Sequence, residues 1–288
     1  MLPTPEQRRE IHRRMEAVAE HLRLPFRSRT WRGQAGNWLG AGIGSSIDFQ
    51  DHRPYLPGDD PRYIDWRAYA RTGHYTMKLY REEVSPLVDL VVDASASMSF
   101  DAAKSARVLE LFYFSIESAK RSGASLRCFA ADGNTLRQLA FEEAIARDNF
   151  FAGSENGAPN LDQVPWRQGS LRILISDLLF PGSPEPALSA LSSAKGRGVV
   201  FAPFCVTESA PDWNGNIQLT DCETRRQRVQ RISPDLLARY KNSYARHFSF
   251  WRERARKHSV AIARVASEPA FRDALQAEAL PAGAVELC

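Results

Sequence analysis

The chain has little cysteine: four residues in 288, at Cys128, Cys205, Cys222 and Cys288, with no C-x-x-C pair among them. That spacing suggests neither a zinc site nor a disulfide framework, so the thiols are expected to be buried or inert. Long apolar runs are also missing. Stretches such as Val199 to Val206 fall far short of the roughly 20 residues that cross a bilayer. Met1 to Arg9 is polar and carries proline where a secretory signal would need an uninterrupted apolar segment, which makes a cytoplasmic location the expectation. There is no internal repeat or low-complexity tract. Gly40-Ala-Gly42-Ile-Gly44 has the glycines of a phosphate-cradling loop but not its Lys-Ser/Thr continuation, so it reads as a flexible turn. Ser176 and the six histidines form no assignable nucleophile and base pair.

What is present is an ordinary globular composition, 43% hydrophobic and 25% charged, with enough apolar surface to offset the entropy of ordering. The formal charge of +4 is small but uneven. Between Asp221 and Arg264 stand twelve basic residues (Arg225, Arg226, Arg228, Arg231, Arg239, Lys241, Arg246, Arg252, Arg254, Arg256, Lys257 and Arg264) against Asp221, Glu223, Asp235 and Glu253. A solvated helix face explains such a segment better than a nucleic-acid site, because no stacking platform or base-reading motif accompanies it.

From about Leu87 onward, short apolar runs alternate with longer amphipathic ones. This predicts a doubly wound, mostly parallel α/β sheet. Strands are expected at Leu87 to Val92, Leu126 to Ala130, Leu136 to Phe141, Leu171 to Ser176, Val199 to Val206, Ile217 to Leu219 and Ser259 to Val265. Ala103, Ala106, Leu109 and Ile116 lay one stripe on a helix that stops at Gly123. A further helix is expected over Pro186 to Ala194. Pro234 to His258 reads as a long helix with Ser233 as N-cap and Pro234 as first residue. Residues 1–84 differ in character: Glu6 to Leu24 reads as a charged helix, Arg27 to Gly44 is rich in Arg, Gly and Trp, and a strand leads to Glu82 and Glu83. The expectation is an N-terminal region, 1–84, packed on a main domain, 85–288, through the apolar face of Trp66, Tyr75, Met77 and Leu79.

Two groups of residues could carry chemistry. The first is Asp93-Ala94-Ser95-Ala96-Ser97, where a strand gives way to a helix. Ligands of open α/β sheets sit at the carboxyl ends of strands. A carboxylate and two hydroxyls at alternate positions can converge as hard oxygen ligands for Mg2+, Mn2+ or Ca2+; alone, the serines could equally cap the helix. Asp177, ending the apolar run Leu171 to Ser176, opens on the same edge and favours the metal. The second group is Asp59, Asp60 and Asp65, with Arg62, Arg67 and Arg71 near enough to neutralise them. A structural ion-pair network is expected there rather than acid–base work.

The first group resembles the metal-ion-dependent adhesion site (MIDAS) of von Willebrand factor A domains, Asp-x-Ser-x-Ser with a later Thr and a later Asp. Where the Thr is usual, in Gly-Thr-Asp-Leu, this chain has the loop Gly157 to Asp162, and Asn160 would offer an amide oxygen instead, so modest metal affinity is expected. The string Tyr55-Leu-Pro-Gly-Asp-Asp-Pro-Arg-Tyr-Ile-Asp-Trp66, followed by Ala70-Arg-Thr72, Lys78, Glu82-Glu83 and the Asp93 strand, resembles the bacterial family named domain of unknown function fifty-eight. The likeness is strongest over Asp48 to Met98; Leu219 to Thr224 and the long helix also fit. It implies a von Willebrand factor A-like protein associated with MoxR-type AAA+ ATPases.

The expected function is therefore a non-catalytic, metal-dependent protein-interaction module with Asp93, Ser95, Ser97, Asn160 and Asp177 as metal ligands. It would be an adaptor or chaperone-like partner of a MoxR-type AAA+ ATPase or of another von Willebrand factor A protein. The alternatives are a metal-assisted hydrolase using Asp93 and Asp177 with Asp59 or Asp60 as base, and a basic nucleic-acid-binding protein.

Overall fold

A computed structural model describes residues 3–26, 35–43, 49–140 and 158–288. Parts of several expected elements lie outside these residues: half of the stretch Arg27 to Gly44, namely 27–34 and Gly44, Phe141 at a strand end, and Gly157. The chain divides into two compact units, Met1–Phe26 with Leu87–Cys288, and Arg27–Pro86. This corrects the expected 1–84 region, because its first 26 residues belong to the α/β unit.

Helix α1 (Pro5–Val18) opens on a capping box at Thr4 and Gln7, which satisfies two of the free N–H groups at its start. The chain then turns sharply. Leu22, Leu24 and Phe26 are fully buried, with β1 at Leu22–Arg23.

The second unit is a three-stranded antiparallel sheet of β2 (Ala35–Ile43), β3 (Phe49–Pro54) and β4 (Thr76–Val84), with β4 central. Helix α2 (Trp66–Thr72) is capped by Asp65, which accepts from the N–H groups of Arg67 and Ala68. Before it, Leu56-Pro57-Gly58-Asp59 closes a turn through Asp59 N–H to the Leu56 carbonyl. Gly58 sits at φ 103°, as a type II turn requires at that position. Of the residues of the expected apolar face, Met77 is buried, Trp66 and Tyr75 are exposed and pack with Tyr69 in a ring cluster, and the side chain of Leu79 lies outside the described residues.

The α/β unit is built on a six-stranded sheet of β5 (Leu87–Asp93), β6 (Ser125–Asp132), β7 (Thr135–Leu139), β8 (Leu171–Ile175), β9 (Arg197–Phe204) and β12 (Ala261–Ala266). Its order is β12-β9-β8-β5-β6-β7. All neighbours are parallel except β7, an antiparallel edge strand. Between β5 and β6 runs α3 (Ala102–Arg121), between β8 and β9 α4 (Glu185–Ser192), and before β12 α5 (Pro234–Lys257). Alternation along the strands turns Val91, Leu174 and Val200 into one core with Leu188, Leu191, Phe248 and Trp251 of α4 and α5. The other face lies under α3, which in turn carries α1. With a layer on each side, α3 is buried around nearly its whole circumference, whereas the sequence shows one stripe.

Asp89, within β5, is fully buried. It is balanced by Arg127 and Arg167 at 3.0 and 2.8 Å and by the Ser170 hydroxyl at 2.9 Å, so the acid is compatible with a core strand.

Ile217 to Leu219, expected as a short strand, lies in β10 (Gly215–Thr220), which among the described residues pairs only with β11 (Gln227–Ile232), as a two-stranded ribbon outside the main sheet. Strand β11 has too few apolar residues to show a sheet period. At the carboxyl end of the chain, β13 (Glu286–Leu287) pairs with β1.

Candidate functional site

Residue Asp93 closes β5 and Ser176-Asp177 follows β8, its neighbour in the sheet. Strand order reverses at this pair, since the chain goes from β5 to β6 on one side and from β8 to β9 on the other. Such a switch point opens a crevice at the carboxyl ends of the strands. Here it is a pocket of about 330 Å³ lined by Asp93, Ser95, Ser97, Asp177, Glu223 and Thr224, among others. Four of the five expected metal-ligating residues thus meet.

Local bonds hold them. The Asp93 carboxylate accepts from Ser95 N–H at 3.0 Å with one oxygen and from the Ser176 hydroxyl at 2.6 Å with the other. The hydroxyls of Ser95 and Ser97 lie 3.0 Å apart. Asp177 accepts from Leu179 N–H at 3.0 Å and from Lys104 Nζ at 2.8 Å, while its own N–H donates to the Met98 sulfur. Between them, Leu178 is fully buried at φ 59°, a conformation that costs a leucine free energy and persists where its surroundings determine it. Leu178 N–H donates to the Ser176 hydroxyl and its carbonyl lies 2.8 Å from His247 Nε2.

The electrostatics of Asp93 are unusual for an aspartate. Burial, and then the charge of Asp177, push Asp93 up to about 7. Lys104 is fully buried at the start of α3 and also donates to Glu208 at 2.7 Å. Its ammonium is held charged by Asp177 and Glu208 against the opposing effect of burial. Burial raises Glu208 in spite of that lysine. One cation therefore serves two acids, Asp177 and Glu208.

Asn160 stands apart. Its side-chain oxygen accepts from Asp162 N–H at 3.1 Å as cap of a short 3-10 turn, and its amide nitrogen donates to Asn134 at 2.9 Å. It is not among the residues lining the pocket, and its side chain already serves the local turn.

Sequence reasoning overlooked Lys104, which carries no motif and looks like any lysine of an amphipathic helix. It also overlooked Glu223, whose two carboxylate oxygens accept from the N–H groups of Ala96 and Ser97 at 3.2 and 2.8 Å. The only signal for Glu223 was its place in the Leu219 to Thr224 string.

The other acids are satisfied locally. Asp59 takes both nitrogens of Arg53 at 2.7 and 2.6 Å, and Asp60 takes Arg62. Both are held below the usual carboxylate range by those guanidinium groups. Asp65 accepts from His52 at 2.9 Å, with Lys78 at 3.7 Å. These are ion pairs, as expected, with Arg53, His52 and Lys78 rather than Arg67 and Arg71 supplying most of the contacts. His12, Glu16 and Glu117 form the one grouping of metal-ligand type and spacing among the described residues. There Glu117 of α3 is paired with His12 of α1 and with Lys120 one turn on in its own helix.

Part of the basic segment is committed to structure, while Arg225, Arg226, Arg228, Arg231, Arg239, Lys241, Arg246, Arg256 and Lys257 are exposed. Arg252 and Arg254 pair with Glu278 and Glu185. Arg264 lies between the rings of Phe204 and Phe248, 4.0 and 4.1 Å from their centroids. Tyr244, Phe248 and Trp251 face the core. All four cysteines are free; Cys128 and Cys205 are buried, Cys222 is half-buried and Cys288 exposed. Burial pushes the thiols of Cys128 and Cys205 up to about 12, so these two are inert at neutral pH. Among the described residues no helix is long and apolar enough to cross a membrane.

Residues 51–132 match the family described as "Protein of unknown function DUF58". The matched stretch contains the Pro57-Gly58-Asp59-Asp60 turn, α2, and β5 with Asp93, Ser95 and Ser97. No curated protein matches the chain. Among solved structures, the conserved hypothetical protein BatB from Bacteroides thetaiotaomicron is similar at 12% identity, over 67% of this chain and 96% of that one, with a TM-score of 0.34.

Proposed function

We propose that this chain, part of which matches a family of unknown function, is a non-catalytic protein-interaction module with a von Willebrand factor A-type sheet and a divalent cation, Mg2+ or a similar ion, at the β5–β8 switch point. The observation that carries the reading is the pairing of Asp93 and Asp177 in one pocket with too little positive charge. Asp177 and Glu208 share the Lys104 ammonium, and Asp93, in the same pocket, is raised to about 7 as burial and the charge of Asp177 require. A dication would supply the missing charge.

The donor set suits a hard ion. Each bonded aspartate oxygen keeps a second lone pair, and Ser95 and Ser97 add hydroxyls. Bound there, the ion would offer Lewis acidity and an open coordination position to an acid from a partner. Ser176 and Ser95 N–H would orient Asp93, and Lys104 and Leu179 N–H would orient Asp177, so that the ligands need little rearrangement. Asn160, committed to its own turn, would have to give up its capping role to take part.

A hydrolase would need a free base, and Asp59 and Asp60 are weak bases while bonded to Arg53 and Arg62. The family resemblance points to a MoxR-type AAA+ ATPase, or another von Willebrand factor A protein, as partner. The test is affinity capture from native extract by the full chain, with Mg2+ and with chelator. Mg2+-dependent retention of an AAA+ ATPase is expected; capture indifferent to chelator would overturn the metal-dependent reading.

A further inference from the structure

The pocket has a cover. The ribbon of β10 and β11 pairs with no other strand among the described residues. Its turn is stiffened by Asp221, whose carboxylate accepts from Glu223 and Thr224 N–H at 2.9 and 2.7 Å. Arg225, at φ 57°, donates its N–H to the Asp221 carbonyl and completes the reversal. A turn fixed in this way presents Glu223 in one orientation, with its carboxylate on the backbone N–H groups of Ala96 and Ser97. Those two N–H groups lie within the Asp-x-Ser-x-Ser loop. Asp221, Glu223 and Thr224 line the pocket together with Asp93 and Asp177.

We infer that Glu223 is an internal ligand: the ribbon sets the chain's own acid in the mouth of the site and holds it closed against the acid of a partner. The inference rests on the metal-dependent reading proposed above and adds how access to that site is controlled.

Three physical points support it. The carboxylate is the chemistry that a dication at the Ser95 and Ser97 hydroxyls would recruit from outside, and here it is supplied from within. Two N–H bonds to an ionised group are strong enough to bias a conformation yet weak enough to exchange. The element that carries the acid is a two-stranded ribbon that pairs with no other strand among the described residues, a type of structure with little independent stability. Its outer residue Val229 is 72% exposed, while Ile232 at its far end is buried. Moving the turn that carries Glu223 therefore breaks no ladder bond of the six-stranded sheet.

A closed fraction of 90–99% would weaken the apparent affinity for an outside acid by about 10- to 100-fold. The experiment uses the full chain with Glu223, with Glu223→Ala, and with Glu223→Gln, which keeps the side chain's size. Mg2+ uptake is followed by calorimetry, then binding of a hexaglutamate peptide to each Mg2+-loaded protein. Hydrogen exchange at the Ala96 and Ser97 amides is followed in metal-free buffer.

The expected result is Mg2+ uptake by all three, peptide affinity at least about tenfold higher in both variants, and faster exchange at the two amides in Glu223→Ala. Equal peptide affinity in proteins that all take up Mg2+ would overturn the internal-ligand inference alone. Failure of all three to take up Mg2+ would overturn the metal reading and this inference with it. Unchanged exchange at Ala96 and Ser97 in Glu223→Ala would show that Glu223 does not engage those amides in solution, and would also overturn it.

Discussion

Lys104 makes the strongest demand of any single residue. Its side chain is fully buried and donates to Asp177 and Glu208 at 2.8 and 2.7 Å, so removing the ammonium leaves two buried acids without their cation. Lys104→Met should cost about 3–5 kcal/mol of stability, measured by urea unfolding, and saturating Mg2+ should restore part of the loss. A variant as stable as the parent would show that the acids do not need the lysine. Asp65 offers a pH test in the other unit. The bond from His52 is the largest cause that brings it down to about 2, helped by the Ala68 N–H. A folded value below the unfolded one means that Asp65 contributes stability above about pH 4. The contribution is lost as pH falls through 2. Carbon-detected NMR of the Asp65 carboxyl should give a midpoint near 2, and Asp65→Asn should flatten acid unfolding over that window. A midpoint at the ordinary aspartate value would contradict the assigned bonds.

At the scale of elements, close packing between β9 and its neighbours is tested by Gly198. A Cβ at this position would meet Val260 at 2.7 Å and Leu191 at 2.9 Å. Gly198→Ala should therefore destabilise the protein by about 1–3 kcal/mol, read as a lower thermal midpoint; an unchanged midpoint would mean that α4 and the start of β12 yield freely. The buried parallel strands and α5 were legible in the sequence to within a few residues, because runs such as Leu171 to Ile175 and the stripe Tyr244, Phe248, Trp251 carry their period openly. The Ser233 cap was legible as well, and Leu236 N–H donates to its hydroxyl at 3.2 Å. Of the ribbon, β10 was legible at Ile217 to Leu219, whereas β11 was not, since Gln227 to Ile232 shows only Val229 and Ile232 as apolar residues. The candidate site divides in the same way. Asp93, Ser95, Ser97 and Asp177 follow from spacing at strand ends, whereas Lys104 and Glu223 reach the pocket by tertiary approach alone, and no spacing encodes that. Asn160 was placed by analogy with a loop whose side chain here caps its own turn.

At the scale of the molecule, the α/β unit is made from two separated stretches of chain. Ile11, Met15, Leu22, Leu24 and Phe26 are all buried. At about 1.5–3 kcal/mol each, together they approach the whole stability of an ordinary domain. Deleting residues 1–26 should leave an insoluble or molten chain; a truncated protein with the parent's melting midpoint would contradict that assignment. The commitment of Arg252, Arg254 and Arg264 to acids and rings predicts that any nucleic-acid binding is weak and disappears near physiological salt; sequence-selective retention at that salt would contradict it. Everything proposed for function turns on whether the two aspartates at the switch point receive a dication. Calorimetric titration of Mg2+ into the full chain and into Asp93→Ala measures this most directly. Saturable binding by the first and none by the second are expected, with closely similar melting midpoints in metal-free buffer, because Asp93 ends its strand beside the pocket rather than among the apolar core. Equal Mg2+ binding by both proteins, or none by either at millimolar metal, would contradict the metal-dependent reading.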